Sequence, residues 1–502
     1  MSLLDKANKI KTSVTAIREA LKSKGLNLPD SIPLSEVAPK IDELMTKSWY
    51  GIQIDLVSKS KTYTRIGDMS SHKTLPVQSK IYRYMADDLG REVYRLGDND
   101  STVKADGQPA NLNCVDGNIL LNVPDTWVKI WMESDTLLNF VISVDEIEGF
   151  TKVSVDPLSF APAQINRTAD KLCCGVFLQF DESGNIKRLE DGSLDLASNA
   201  TDFRGGNNSD WDGTYRSLLG FPATNMNNST LRTKCKNTGD RYHHGAYPTI
   251  NLLAWLYTIE YANSDWGEAY NPTLTEEGYH QGGMGMGSGV DGTQWNAYNG
   301  YNPYIPVGVT AKLGNQTGVV DYTIKNWKKI ETPVEGGEPT ITYEDKTIKV
   351  CSYRGWENPI LHLWIHCDGV MIWHGNPTEG KSYMYLCEDY TKFANPKADT
   401  DATVPEGYEK IGEVPRANGY ITKMTILPNG MACPTENTGG GATMNYCDHF
   451  WTPTITESSY GWYQLILLGS GNGTQTGLRS SDSSSRFSNT HAGRGCFLCV
   501  NR

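Results

Sequence analysis

Apolar residues at Leu3, Ala7, Ile10, Val14, Ile17 and Leu21 recur in alternating steps of four and three. That spacing predicts a helix with a heptad seam, Leu3, Ile10 and Ile17 at d and Ala7, Val14 and Leu21 at a. Isoleucine at d disfavours a parallel dimer and tilts toward trimers or tetramers; a helical hairpin packed on the next domain fits the same seam. Lys22 and Lys24 ahead of Gly25 read as a helix stop. Leu34, Val37, Ile41 and Leu44 line one face of a second helix that starts near Pro33. Residues 1–48 are thus expected to form a helical anchor and oligomerisation segment, with a homotrimer as the assembly.

After Trp49 the period changes to two. GIQIDLVS, STVKADG and TWVKIWMES alternate apolar and polar positions between turn signals such as Asp106-Gly107 and Asp116-Gly117, which predicts a β-rich domain over residues 49–150. From residue 151 short strands mix with Gly-rich loops and a few helices, so the expected class is α+β. Thr249 to Ala262 is apolar almost all round and predicts a buried helix. QGGMGMGSG (Gln281 to Gly289) reads as a loop where backbones pass closely, since no Lys-Ser or Lys-Thr follows to make a phosphate loop. Residues 331–347 read as a hairpin insertion.

The region from Trp462 to Arg502 has a separate pattern. WYQLILLG and CFLCV are apolar strands, and between them Gly469 to Gly495 is mostly Gly, Ser, Thr, Asn and Arg. A polar run fastened at both ends to core strands is expected at the surface, as a binding loop on a rigid support or as an ordinary solvated loop.

Bulk properties narrow the function. The formal charge of −12 and the lack of Lys/Arg runs argue against a nucleic-acid partner. MSLLDKANKIKTSV has no apolar h-region and no stretch is long enough to span a bilayer, so neither a secretory leader nor membrane insertion is expected. The 11 Cys are odd in number and irregularly spaced, which predicts buried reduced thiols and synthesis in a cytoplasm.

Several phrases occur together and in order: WYGIQIDLVS with YTRIGDMSSHKTLPVQS, GGNNSDWDGTYRSLLGFPATN, GYNPYIPVG, SYRGWENPILHLWIHCDGV, GGGATMNYCDHFW and AGRGCFLC. This set resembles phage and prophage tail receptor-binding proteins of the diversity-generating-retroelement variable-protein family. The resemblance implies a C-type-lectin-like domain of the formylglycine-generating-enzyme subtype over residues 151–502, with a variable binding region at about 462–502. It further implies a virion-borne adhesin that recognises a bacterial surface glycan or protein and joins other tail proteins through its N-terminal helices. Under that analogy the ligand-contacting positions are Ser470, Asn472, Thr474, Arg479, Ser481, Asp482, Ser484, Arg486, Ser488, Asn489 and His491, with Arg479 and Arg486 as anchors. The alternatives are a formylglycine-generating-type oxidase or surface hydrolase, and a purely structural tail component.

No catalytic, cofactor or metal residue is expected. Cys496 and Cys499 have C-x-x-C spacing, but they lie in a strand-like segment where an offset of three sends side chains to opposite faces. His362 and His366 lack the Glu of a zinc-binding helix, although Cys351 and Cys367 are nearby in sequence. The resemblance implies that Trp364 between them packs inward. His243 and His244 read as helix caps or surface groups. Asp210 and Asp212 fit tight turns, and Glu357-Asn358-Pro359 has lectin calcium-site residue types in a different order, so no calcium site is transferred.

Overall fold

A computed structural model describes most of residues 48–502 and helical positions between residues 8 and 18. Outside the described residues lie most of 1–47, the segments 196–218, 286–304, 332–336 and 470–476, and scattered single positions. Of the heptad seam only Val14 is described, half-buried in a helix; the other five seam positions, and with them the trimer expectation, lie outside.

The protein is sheet-rich α+β. Tyr50–Asp55 forms strand because its alternate residues Ile52 and Ile54 face a core while Asp55 reaches water. It joins Thr64–Gly67, Leu137–Ser143, Thr126–Met132 and Thr151–Val153 in a five-stranded antiparallel sheet. A six-stranded sheet runs in the order Tyr242–His244, Leu498–Val500, Leu158–Ser159, Asn118–Asn122, Tyr82–Ala86, Glu92–Arg95. This second sheet takes strands from both sides of residue 150, with Leu158 opposite Leu121 on one side and Cys499 on the other. The boundary expected at residue 150 therefore does not separate two cores. One cluster of buried side chains extends from Tyr50 to Cys499.

The helix expected at Thr249–Ala262 is found at Tyr247–Tyr261, with every residue buried except Pro248. Trp255 stacks on Phe140 of the five-stranded sheet at 4.2 Å between ring centres, and Tyr257 stacks on Trp266 at 3.5 Å. Gln78 donates to the Leu256 carbonyl (3.0 Å) and accepts from Tyr50 OH (2.5 Å), tying the helix backbone to the first sheet. His243 and His244 precede it in a buried strand paired with Cys499 and Leu498, so the expectation of caps or surface groups is corrected. His244 is enclosed beside Asp368, which also receives Arg232, and His243 bonds Asp156 at 2.9 Å.

The third sheet has eight strands built around Trp364–His374, which pairs with Ser382–Leu386 on one side and Gly461–Leu467 on the other. Beyond Gly461–Leu467 lie Ser481–Ser485, His449–Trp451 and Gly419–Tyr420. Leu465 and Leu467 face the main core, whereas Trp462 faces a second cluster with Met371, Trp373 and Phe487. Both faces of this sheet are covered, which is why WYQLILL is apolar without alternation. The expected hairpin at 331–347 is the distal part of a longer one, Gly318–Glu331 paired with Thr340–Tyr353.

Of the Gly-rich loop, residues 281–285 are described. A Cβ on Gly283 would sit 2.4 Å from the Glu268 carbonyl oxygen and 2.7 Å from that of Trp266, so backbones do pass closely there. No described helix is long and apolar enough to cross a membrane.

Candidate ligand-binding face

The polar run is not a loop throughout. Ser481–Ser485 is a strand inserted between Gly461–Leu467 and His449–Trp451, antiparallel to the first and parallel to the second. Small hydroxyl side chains fit this slot: Ser481, Ser483 and Ser485 are buried, and Ser483 donates to the Trp451 carbonyl at 3.0 Å. Asp482 is half-buried and Ser484 exposed on the alternate positions.

Arg479 was expected outside and is buried, 7% exposed. Its guanidinium lies over the Trp255 indole, 4.1 Å from the ring centre, and donates to Thr258 Oγ1 at 3.2 Å. It therefore belongs to the core, and its expected anchor role is corrected; the physical reason is a stacking partner supplied by the buried helix. The exposure expected of Ser481 is corrected likewise, because its backbone pairs with Phe450 and Leu467. Arg486 is half-buried over the Tyr463 ring (3.8 Å) and donates to the carbonyls of Trp462 (2.8 Å) and Tyr460 (2.9 Å), so it fastens a turn rather than projecting. Ser470, Asn472 and Thr474 lie outside the described residues.

What remains outward is Ser484, Ser488, Asn489 and His491, with Asp482 half-open beside them. The chain from His491 to Arg494 is held in place: the His491 carbonyl accepts from Asn225 N (3.1 Å) and Arg494 N (3.1 Å), and Trp364 N donates to the Gly493 carbonyl (2.9 Å). Arg494 pairs with Trp364 and donates to Ser485 Oγ at 2.6 Å.

Two tryptophans complete the face. Trp451 is opposite Asp482 in the strand register, and Trp364 meets it edge-on at 5.3 Å. Trp364 is half-buried rather than packed fully inward. It rests on Gly469, where a Cβ would come within 2.3 Å of the indole. Next to Trp451 come His449 (4.2 Å) and then Tyr420 (5.1 Å from His449). Sequence reasoning missed Trp451, Tyr420 and Arg494; the aromatic endings of HFW and GY beside strands carried the signal.

Burial sets the charges. It pushes the Asp482 carboxyl up, partly offset by the Ser484 hydroxyl and amide, and it pulls the Arg494 guanidinium and the His491 imidazole down. Below the face His366 is enclosed, its Nδ1 2.9 Å from Gln464 Oε1, and burial lowers its imidazole to about 3. His362 lies outside the described residues. Cys496 and Cys499 are buried in different apolar clusters, and burial pushes the Cys496 thiol well up. Glu357 is buried and accepts from the amides of Gly308 and Thr310, both at 2.7 Å, an internal use of the carboxylate. Among the described residues no three His, Cys, Asp or Glu side chains converge as metal ligands.

No family model, curated protein or solved structure matches this chain.

Proposed function

We propose that this chain is a receptor-binding protein of a phage tail, with a C-type-lectin-like domain of the formylglycine-generating-enzyme subtype over residues 151–502. Its ligand is a bacterial surface glycan or protein. The observation that carries the reading is the rigid seating of an aromatic and hydroxyl-rich face: Trp364 and Trp451 beside Asp482, Ser484 and the Ser488–His491 turn. Aromatic anchors flanked by small adaptable hydroxyls are the composition of a recognition surface, and a stiff support reduces the ordering cost of binding. The N-terminal segment would trimerise the chain and join it to other tail proteins, so that modest single contacts combine through avidity.

Burial of both Cys496 and Cys499 weighs against an oxidase, which needs an accessible thiolate. Binding of purified protein to host cells tests the proposal. Trp451→Ala and the pair Ser488→Ala/Asn489→Ala are expected to weaken binding at least about tenfold, the scale of an interface hot spot. Full binding by both variants would overturn the proposed face. The coding sequence tests diversification: adenine-rich codons should concentrate at the outward positions and be sparse at Arg479 and Ser481.

A further inference from the structure

A cleft of about 490 Å³ opens between Ile81, Tyr270 and the loop Asn315–Thr317. Behind the lining residues Arg354 and His280 lies Glu260, wholly enclosed near the end of the Tyr247–Tyr261 helix. Arg354 grips this carboxylate with Nε (2.6 Å) and Nη2 (2.8 Å), His280 Nδ1 reaches it at 2.6 Å, and Tyr353 donates to it at 3.1 Å. Burial alone would raise the Glu260 carboxyl; Arg354 and His280 outweigh it and hold it at about 2.

The backbone is bent to make this arrangement. Arg354-Gly355 is the two-residue turn between Tyr353 and Trp356, and both residues have positive φ, 49° and 85°. Such a turn favours Asn or Gly at its first position, and an Arg there is strained by its Cβ. Strain of this kind collects where a side chain must be aimed.

With Glu260 satisfied, donors are left over, and they line the cleft. Among the described residues Arg354 Nη1, His280 Nε2, and Nε and Nη1 of Arg95 make no hydrogen bond within the protein. Arg95 is propped by the Tyr82 ring at 4.2 Å and by Asp98 at 2.7 Å. Asp98, the acidic group of the lining, accepts at Oδ1 from Arg95 and from Asn315 Nδ2, both at 2.7 Å. Gln316 contributes amide hydrogen-bonding capacity, and Tyr270 and Leu274 give the wall an apolar side.

We propose that this cleft is a second binding site, separate from the C-terminal face, for a carboxylate-bearing sugar of hexuronate type. Surplus Arg and His donors take the carboxylate, amides take ring hydroxyls, and Tyr270 with Leu274 covers the apolar side of the ring. The inference does not rest on the receptor-binding reading, and the variants that test it leave the tryptophan face untouched.

The experiment titrates the full chain with glucuronate and, in parallel, with glucose by saturation-transfer NMR and calorimetry. Glucuronate is expected to bind saturably and more tightly than glucose. Arg95→Gln, which keeps a polar side chain at a partly exposed position, should weaken it about fivefold or more with an unchanged melting temperature. His280→Gln provides a second variant at the opposite wall, with the same direction expected. Absence of saturable glucuronate binding, equal affinity for glucose, or wild-type affinity in both variants would each overturn the proposal.

Discussion

The Arg479 guanidinium lies over the Trp255 indole, 4.1 Å from its ring centre, with Nε and Nη1 buried and without a hydrogen-bond partner among the described residues. A cation in this position is held by ring stacking and one hydroxyl, while burial pulls its pKa down. Arg479→Ala removes that contact and opens a void beside Trp255. A loss of about 2–4 kcal/mol is expected, on the scale of large-to-small core changes. Arg479→Met keeps the packing on Trp255 but removes the charge that partly offsets buried Asp448, so it should cost less than Arg479→Ala without being neutral. Chemical denaturation measures both. If Arg479→Ala weakens cell binding while leaving stability unchanged, the residue acts in recognition after all.

Buried imidazoles make the protein sensitive to acid. Burial holds His244, His366 and His374 at about 4, 3 and 4, below the 6.5 or so of an unfolded chain. Between those values the unfolded chain binds more protons. Their contribution is therefore full above about pH 6.5 and is lost as pH falls through the folded values. Asp448 works in the opposite sense: burial, only partly offset by Arg479, raises it to about 7. The folded state keeps a proton that the unfolded chain releases near 4, so this contribution is full below about pH 4 and is lost as pH rises through 7. Wild-type stability should fall between about pH 6.5 and pH 5, and Asp448→Asn should steepen that fall by up to about 1.4 kcal/mol per pH unit. Urea midpoints at the two pH values decide the matter. A flat profile in the wild type would mean that these imidazoles are not buried neutral.

Where the sequence was legible, one local pattern fixed one environment. Thr249–Ala262 is apolar on every side, and only a buried helix accommodates that. CFLCV read as a strand; the strand is Leu498–Val500 and Cys496 precedes it, and the two thiols do fall into different clusters. Polar residues misled because their burial depends on partners far away along the chain. Nothing near Arg479 announces that Trp255 will stack beneath it, and nothing in SDSSS announces a slot between two strands narrow enough for hydroxyls. The boundary read at residue 150 does not divide the sheet, for a related reason: Leu158–Ser159 pairs with Leu120 and Leu121 on one side and with the returning strand Leu498–Val500 on the other, contacts with no local signature. His243 and His244 are enclosed by that same returning strand.

Gly469 is the floor on which Trp364 rests, and a Cβ there would come within 2.3 Å of the indole. Gly469→Ala must therefore move the ring, because backbone on the far side cannot retreat without disturbing the strand next to it. The expected result is a change in tryptophan fluorescence and a loss of host-cell binding comparable to that of Trp451→Ala. A global destabilisation of only about 1–3 kcal/mol should accompany it, the usual scale of overpacking. Unaltered binding with a displaced Trp364 would remove that ring from the proposed face.

Thiol chemistry separates the binding reading from an oxidase. Cys496 and Cys499 are both fully enclosed, one packed with Leu231 and Met226, the other in the cluster that contains Trp356 and Phe497. A thiol whose pKa is raised by burial is almost wholly protonated at neutral pH, and the protonated form is a poor nucleophile. In the native protein neither residue should react with a thiol-specific reagent over minutes, and both should label at once in denaturant. Both are free thiols, so reducing agents should leave the melting temperature unchanged. Fast native labelling of either one, traced by peptide mass, would show an accessible thiolate and return the oxidase to first place.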